Sequence, residues 1–152
     1  MAQSREEELA LRVQEEHRAL NQLCQVVRGH MASAGPSYTP TWLTGLQTAF
    51  ERLHAHFQRW VEIKERDGYL ETALSFRPTL AKQVAAIKAE HGQLLRIAEA
   101  IRTTLGGVRP EDRLLLTDAC DRIERFIELM RQHEQRENML VLFACNQDLG
   151  SD

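Results

Sequence analysis

Four stretches of this chain carry inward-facing candidates at alternating steps of three and four residues. That spacing constrains the fold more than any other feature. The first stretch reads Leu9, Val13, His17, Leu20, Cys24, Val27, Met31, with one extra step of four, and the second Leu43, Leu46, Phe50, Leu53, Phe57, Trp60, Lys64. The third reads Leu80, Val84, Ile87, His91, Leu94, Ala98, Ile101, Leu105. The fourth reads Leu116, Ala119, Ile123, Phe126, Met130, His133, Glu137, Leu140, Ala144. At 3.6 residues per turn such positions line one side of an α-helix. Strand-like alternation is absent from the sequence.

Breakers divide the stretches. Ser33-Ala34-Gly35-Pro36 ends the first, Asp67-Gly68 the second and Gly106-Gly107 the third. Thr39-Pro40 opens the second as a cap followed by a first-turn proline, and Pro110-Glu111-Asp112 opens the fourth with acids at the positive end of the helix dipole. The pattern predicts helices over about residues 4–32, 40–66, 78–105 and 110–146, with a short helical turn from Tyr69 to Leu74. Four long helices with modest connections predict an all-α, antiparallel up-and-down four-helix bundle. A chain of 152 residues suits one such domain, spanning 1–152.

The polar members of the seams carry the functional signal. His17, Lys64, His91, His133 and Glu137 fall on core positions, and every helix supplies at least one. A buried imidazole needs partners for its ring nitrogens, and a buried carboxylate or ammonium is costly unless paired or bound to a metal. At 1.5 Å per residue, His17 lies roughly 24 Å from the first helix–helix turn and His91 about 21 Å from the last, heights compatible with a single polar layer. His133 and Glu137 stand four apart, on one face and one turn from each other. Inward imidazoles and carboxylates on opposed helices are how bundles build iron sites, and this donor chemistry suits iron, zinc or manganese. His30 and His54 fall off the seams and read as surface residues.

Composition excludes other classes. The formal charge is −3, from 19 basic and 22 acidic residues interleaved along the chain, which gives no electrostatic case for nucleic acid or an anionic membrane. No stretch is apolar enough to span a bilayer, and Met1 to Glu8 does not read as a secretory signal. Cys24, Cys120 and Cys145 are widely spaced and read as reduced thiols of a cytoplasmic protein. There is no phosphate-binding glycine motif, no HExxH and no nucleophile–base pair in a loop, so no enzyme is expected.

Three segments carry a family resemblance. They are Glu15-Glu16-His17-Arg18-Ala19-Leu20, then Gly68-Tyr69-Leu70 with Pro78-Thr79-Leu80 leading to Ala89-Glu90-His91-Gly92-Gln93-Leu94-Leu95, then His133-Glu134-Gln135-Arg136-Glu137-Asn138 with the tail Asn146 to Gly150. In order and spacing they resemble the hemerythrin HHE cation-binding family in its bacterial stand-alone form. The resemblance implies a non-haem iron centre, mono- or di-nuclear, that binds a small ligand such as O2 or serves redox sensing or iron handling without turnover. Its ligands would be His17, His91, His133 and Glu137, with His56 as a fifth.

The second helix departs from the family's HFxxE-like motif. Aligning His56-Phe57 with it puts Trp60 at the glutamate position. Anchoring on Gly68-Tyr69-Leu70 puts Trp60 at the histidine and Lys64 at the glutamate, which agrees with the seam. Two readings follow. In one, a metal sits in a degenerate site. In the other, Lys64 stands in for the metal and pairs with Glu137, leaving a metal-free bundle that acts as a structural or protein-interaction module.

Overall fold

The computed structural model describes the backbone of residues 2–66 and 68–150, and the side chains of residues 7–8, 11–66 and 68–144. Leu9, Asp67, Cys145 and the tail from Asn146 therefore fall wholly or in their side chains outside the described residues. The chain forms α1 (Ala2–Ala32), α2 (Pro40–Arg66), α3 (Tyr69–Phe76), a 3₁₀ turn (Pro78–Leu80), α4 (Ala81–Gly107) and α5 (Arg113–Gly150). Among the described residues there is no strand.

Side-chain bonds between helices fix their directions. Between α1 and α2, His30 bonds Trp42 while His56 bonds Glu16, so the pairs run in opposite senses. Gln47 with Leu105 and Glu51 with Arg102 give the same result for α2 and α4. Arg28 with Glu124 and His17 with Glu134 do so for α1 and α5. The four long helices form the antiparallel bundle that the seams predict.

Local signals account for the boundaries. Thr39 caps α2, its Oγ1 accepting from Trp42 N–H at 3.1 Å, with Pro40 in the first turn. Gly68 sits at φ 87, a left-handed conformation that favours glycine, and opens α3. The fourth long helix begins later than the sequence suggests. Arg109 N–H donates to Asp112 Oδ2 at 3.0 Å, and Asp112 C=O takes the first helical bond, from Leu116. Asp112 thus ends a turn, and Arg113 rather than Pro110 starts α5. At the end of α4, both Gly106 and Gly107 remain helical.

Burial follows the seams closely. On α4 the buried set is Val84, Ile87, His91, Leu94, Ala98, Ile101 and Leu105. The α2 seam is buried throughout, and Trp42, Ala49, His54, Val61 and Ile63 join it. His54 is a correction to the surface assignment: it is buried, with Nε2 3.5 Å from Glu99 Oε2. The reason is width, because α2 packs between α1 and α4 and its covered stripe extends past a narrow seam. His30 is also no free surface residue. It is half-buried, stacks on Trp42 and bonds the Trp42 carbonyl at 2.7 Å. Gly45 makes room for it, since a Cβ there would lie 2.4 Å from the His30 ring.

The core comes in unequal parts. The larger runs from the α1–α2 turn to Leu94 and Met130, with Phe126 edge-on to Phe50 and Phe57 at ring distances of 6.2 and 5.6 Å. The smaller lies at the α3 end, around Leu70, Val84 and Ile87 with Ala73, Leu80 and Ala144 beside them. Between the two lies a layer of buried polar side chains: Lys64, His91, His133 and Glu137.

Candidate metal centre

Glu137 is the hub of that layer. It sits one turn after His133 on α5, faces His91 on α4 and Lys64 on α2, and is wholly buried. Its Oε2 lies 3.2 Å from His91 Nε2 and 3.2 Å from His133 Nε2. The two rings approach at 4.6 Å between centroids, inclined at 65°. Its Oε1 lies 2.9 Å from Lys64 Nζ. At that distance and burial the contact is a buried ion pair.

The far side of each ring is also held by a carboxylate. His91 Nδ1 is 3.0 Å from Glu65 Oε1, and His133 Nδ1 is 2.5 Å from Glu90 Oε2. Arg136 completes the second pair, 2.6 Å from the same Glu90 oxygen. Burial opposes ionisation of Glu90, but the bonds from Arg136 and His133 outweigh it and hold the carboxyl below its usual range. Burial likewise opposes ionisation of Glu137. Its hydrogen bonds with His133 and His91 and the charge of Lys64 more than compensate, and hold it well below the carboxylate range. Lys64 shows the reverse balance: burial pushes its pKa down to about 8, against the pull of Glu137.

These contacts leave a proton deficit. A neutral imidazole has one N–H, and each of these rings has a carboxylate on both sides. One contact per ring therefore lacks a proton. Protonating the ring would supply it, and so would a metal on the Nε2 side. The two inner contacts, from His91 and His133 Nε2 to Glu137 Oε2, are both 3.2 Å and longer than the outer ones at 3.0 and 2.5 Å, which marks the inner side as the less firmly held. Carboxylate support on the outer nitrogen is also the usual backing of a metal-bound histidine, because it fixes the ring and turns the other nitrogen inward.

Not all five sequence candidates meet here. The ligand atoms of His91, His133 and Glu137 lie within 4.8 Å of one another, and they form the one such group among the described residues. His17 is partly exposed and is held elsewhere, Nδ1 against Glu134 Oε1 and Nε2 3.1 Å from Asn21. His56 turns to α1, with Nε2 2.8 Å from Glu16 Oε2 and 3.2 Å from the Glu16 carbonyl. Trp60 and Lys64 occupy the α2 side of the layer, with Nζ 3.6 Å from the Trp60 ring. Sequence reasoning gave no role to the supporting carboxylates Glu16, Glu65, Glu90 and Glu134. The available signal was adjacency: Glu16, Glu65, Glu90 and Glu134 each neighbour a polar seam residue.

The donor set fits one cation. Two imidazoles and a carboxylate on one side of a metal is a recognised arrangement for non-haem iron with open positions. Among the described residues a second cation has no comparable set, and α2 offers an indole and an ammonium at that side of the layer. No curated protein matches the chain, and neither does any solved structure. The hemerythrin HHE cation-binding domain does match, over residues 11–144, a span that contains every residue of the polar layer, and the chain belongs to that family.

Proposed function

We propose that this chain binds a single divalent transition metal, iron in the first instance, through His91 Nε2, His133 Nε2 and the Glu137 carboxylate. It acts as a binding protein and not as an enzyme. The observation that carries this reading is the convergence of both Nε2 atoms on one Glu137 oxygen, with a carboxylate backing each ring. Iron held by three protein donors offers open positions to a small ligand such as O2. The chain's own residues do the rest. Glu65 and Glu90 fix the rings, and Trp60 and the α3 cluster keep bulk water out. A cavity of about 380 Å³ lies beside His17, Tyr69 and Glu134, on the α1–α5 side of the layer. His17 and His56 are not ligands in this reading. The unpaired thiols of Cys24 and Cys120 suit a reducing, cytoplasmic setting.

A second reading rests on the 2.9 Å contact between Lys64 and Glu137. In it the ammonium keeps the cation's place permanently, and the bundle serves as a structural or protein-interaction module. Elemental analysis of protein produced with iron available separates the two. The single-metal reading expects about one equivalent of iron, lost in His133→Ala. Less than about a tenth of an equivalent of any transition metal overturns it and leaves the second reading standing.

A further inference from the structure

Lys64 is the one lysine in the layer, and a single carboxylate holds it. Its Nζ is buried, with three N–H donors and one anionic partner, Glu137 Oε1 at 2.9 Å. What it has is the ionic contact to Glu137, the Trp60 face at 3.6 Å and the Tyr69 ring at 5.1 Å. Tyr69 also lines the cavity that opens between α1 and α5, together with His17 and Glu134. The flexible stem of a lysine can carry its head from one anchor to another without moving the helix. Glu134, buried beside that cavity with one oxygen against His17, offers its other oxygen as a second carboxylate position.

Resting on the single-metal reading, we propose that Lys64 is a displaceable internal cation that sets the metal affinity of the centre. Its ammonium holds Glu137 until a divalent ion takes that carboxylate, and then swings past Tyr69 into the cavity beside Glu134. The physical basis is exclusion. An ammonium on Oε1 of Glu137 and a dication on Oε2 bring like charges close together in a poorly solvated layer, which favours moving the ammonium away. The dication gains two imidazole nitrogens that the ammonium cannot use, because Lys64 has only donors to offer. Binding the metal therefore includes the cost of moving Lys64, and that cost lowers apparent affinity.

Two measurements on the full chain test this, with zinc as the probe. In competition with a chromophoric chelator, Lys64→Met should bind zinc at least about tenfold more tightly than the wild type, and Lys64→Arg, which keeps the charge, should not. In wild-type protein, acylation by an amine reagent, followed by peptide mass spectrometry, should be slow at Lys64 without zinc and at least about tenfold faster with it. Lys82 and Lys88 serve as references. Equal or weaker binding by Lys64→Met overturns the proposal, as does a Lys64 reactivity that zinc leaves unchanged. If Lys64→Met does not fold, the acylation result decides alone. Failure of the parent reading looks different: neither wild type nor any Lys64 variant takes up metal.

Discussion

The two ends of this bundle share one periodicity and solve different problems with it. Towards the α1–α2 turn the seams hold Phe50, Phe57, Phe126 and their aliphatic neighbours, and stability there comes from removing apolar area from water. Towards α3 the same spacing delivers Lys64, His91, His133 and Glu137. Burial there is a cost, offset only while each charge keeps its partner. The comparison teaches that helical periodicity decides which residues face inward, and chemistry decides whether facing inward stabilises.

Breaking each end should show this difference. Phe126→Ala removes a wholly buried ring and should cost about 3–5 kcal/mol by denaturant titration, with little rescue from a second truncation nearby. Glu137→Ala should cost a similar amount, about 3–5 kcal/mol, for the opposite reason: it removes the carboxylate that Lys64, His91 and His133 share. The polar loss should be recoverable where the apolar loss is not. Combining Lys64→Met with Glu137→Leu should return stability to the wild-type value or exceed it by about 1–4 kcal/mol. A double variant no more stable than Glu137→Ala would erase the distinction between the two ends.

Gly45→Ala probes the apolar end more gently. The added Cβ meets the His30 ring, which must give up its place against Trp42, so a loss of about 1–3 kcal/mol is expected in thermal or chemical unfolding.

Smaller effects should appear on opposite sides of the pH scale. Glu137 and Glu90 have folded pKa values below the ordinary 4.5. The native state therefore binds fewer protons than the unfolded chain in that range. The stabilisation is complete above 4.5 and is lost as pH falls towards the folded values. Denaturation midpoints should drop below pH 4.5, and less steeply in Glu137→Gln. In the apolar part, burial raises the Cys24 thiol to about 11, and burial with nearby acids raises Cys120 to about 11. Iodoacetamide at pH 8 should label both more slowly in the native protein than in the unfolded chain. Rapid native-state labelling of Cys24 would mean that the apolar end opens more readily than its packing implies.

Much of the fold was legible because a seam is a local property. The buried set of α4 is the one its spacing predicts, and the Lys64–Glu137 contact could be anticipated because both residues lie on seams. The site was legible only in part. Whether His17 joins the centre depends on Glu134 reaching it first, and His56 is turned away by Glu16. Those outcomes depend on how α1 rotates against α2 and α5, which no single-helix pattern encodes. The supporting glutamates were hidden for a related reason. They sit on the flanks of their helices, where a charged residue normally reads as solvated, and act only because a ring from a neighbouring helix comes within reach. His54 was misplaced because burial on α2 extends beyond the narrow stripe.

The proposed function has the polar layer accept one cation, on His91, His133 and Glu137. X-ray absorption at the iron edge of iron-loaded protein tests it most directly. Two rings should give imidazole scattering, with bonds near those usual for histidine, about 2.0–2.1 Å, and no metal–metal shell. A metal–metal shell at about 3.5–4 Å, or a sphere without imidazole, would contradict it.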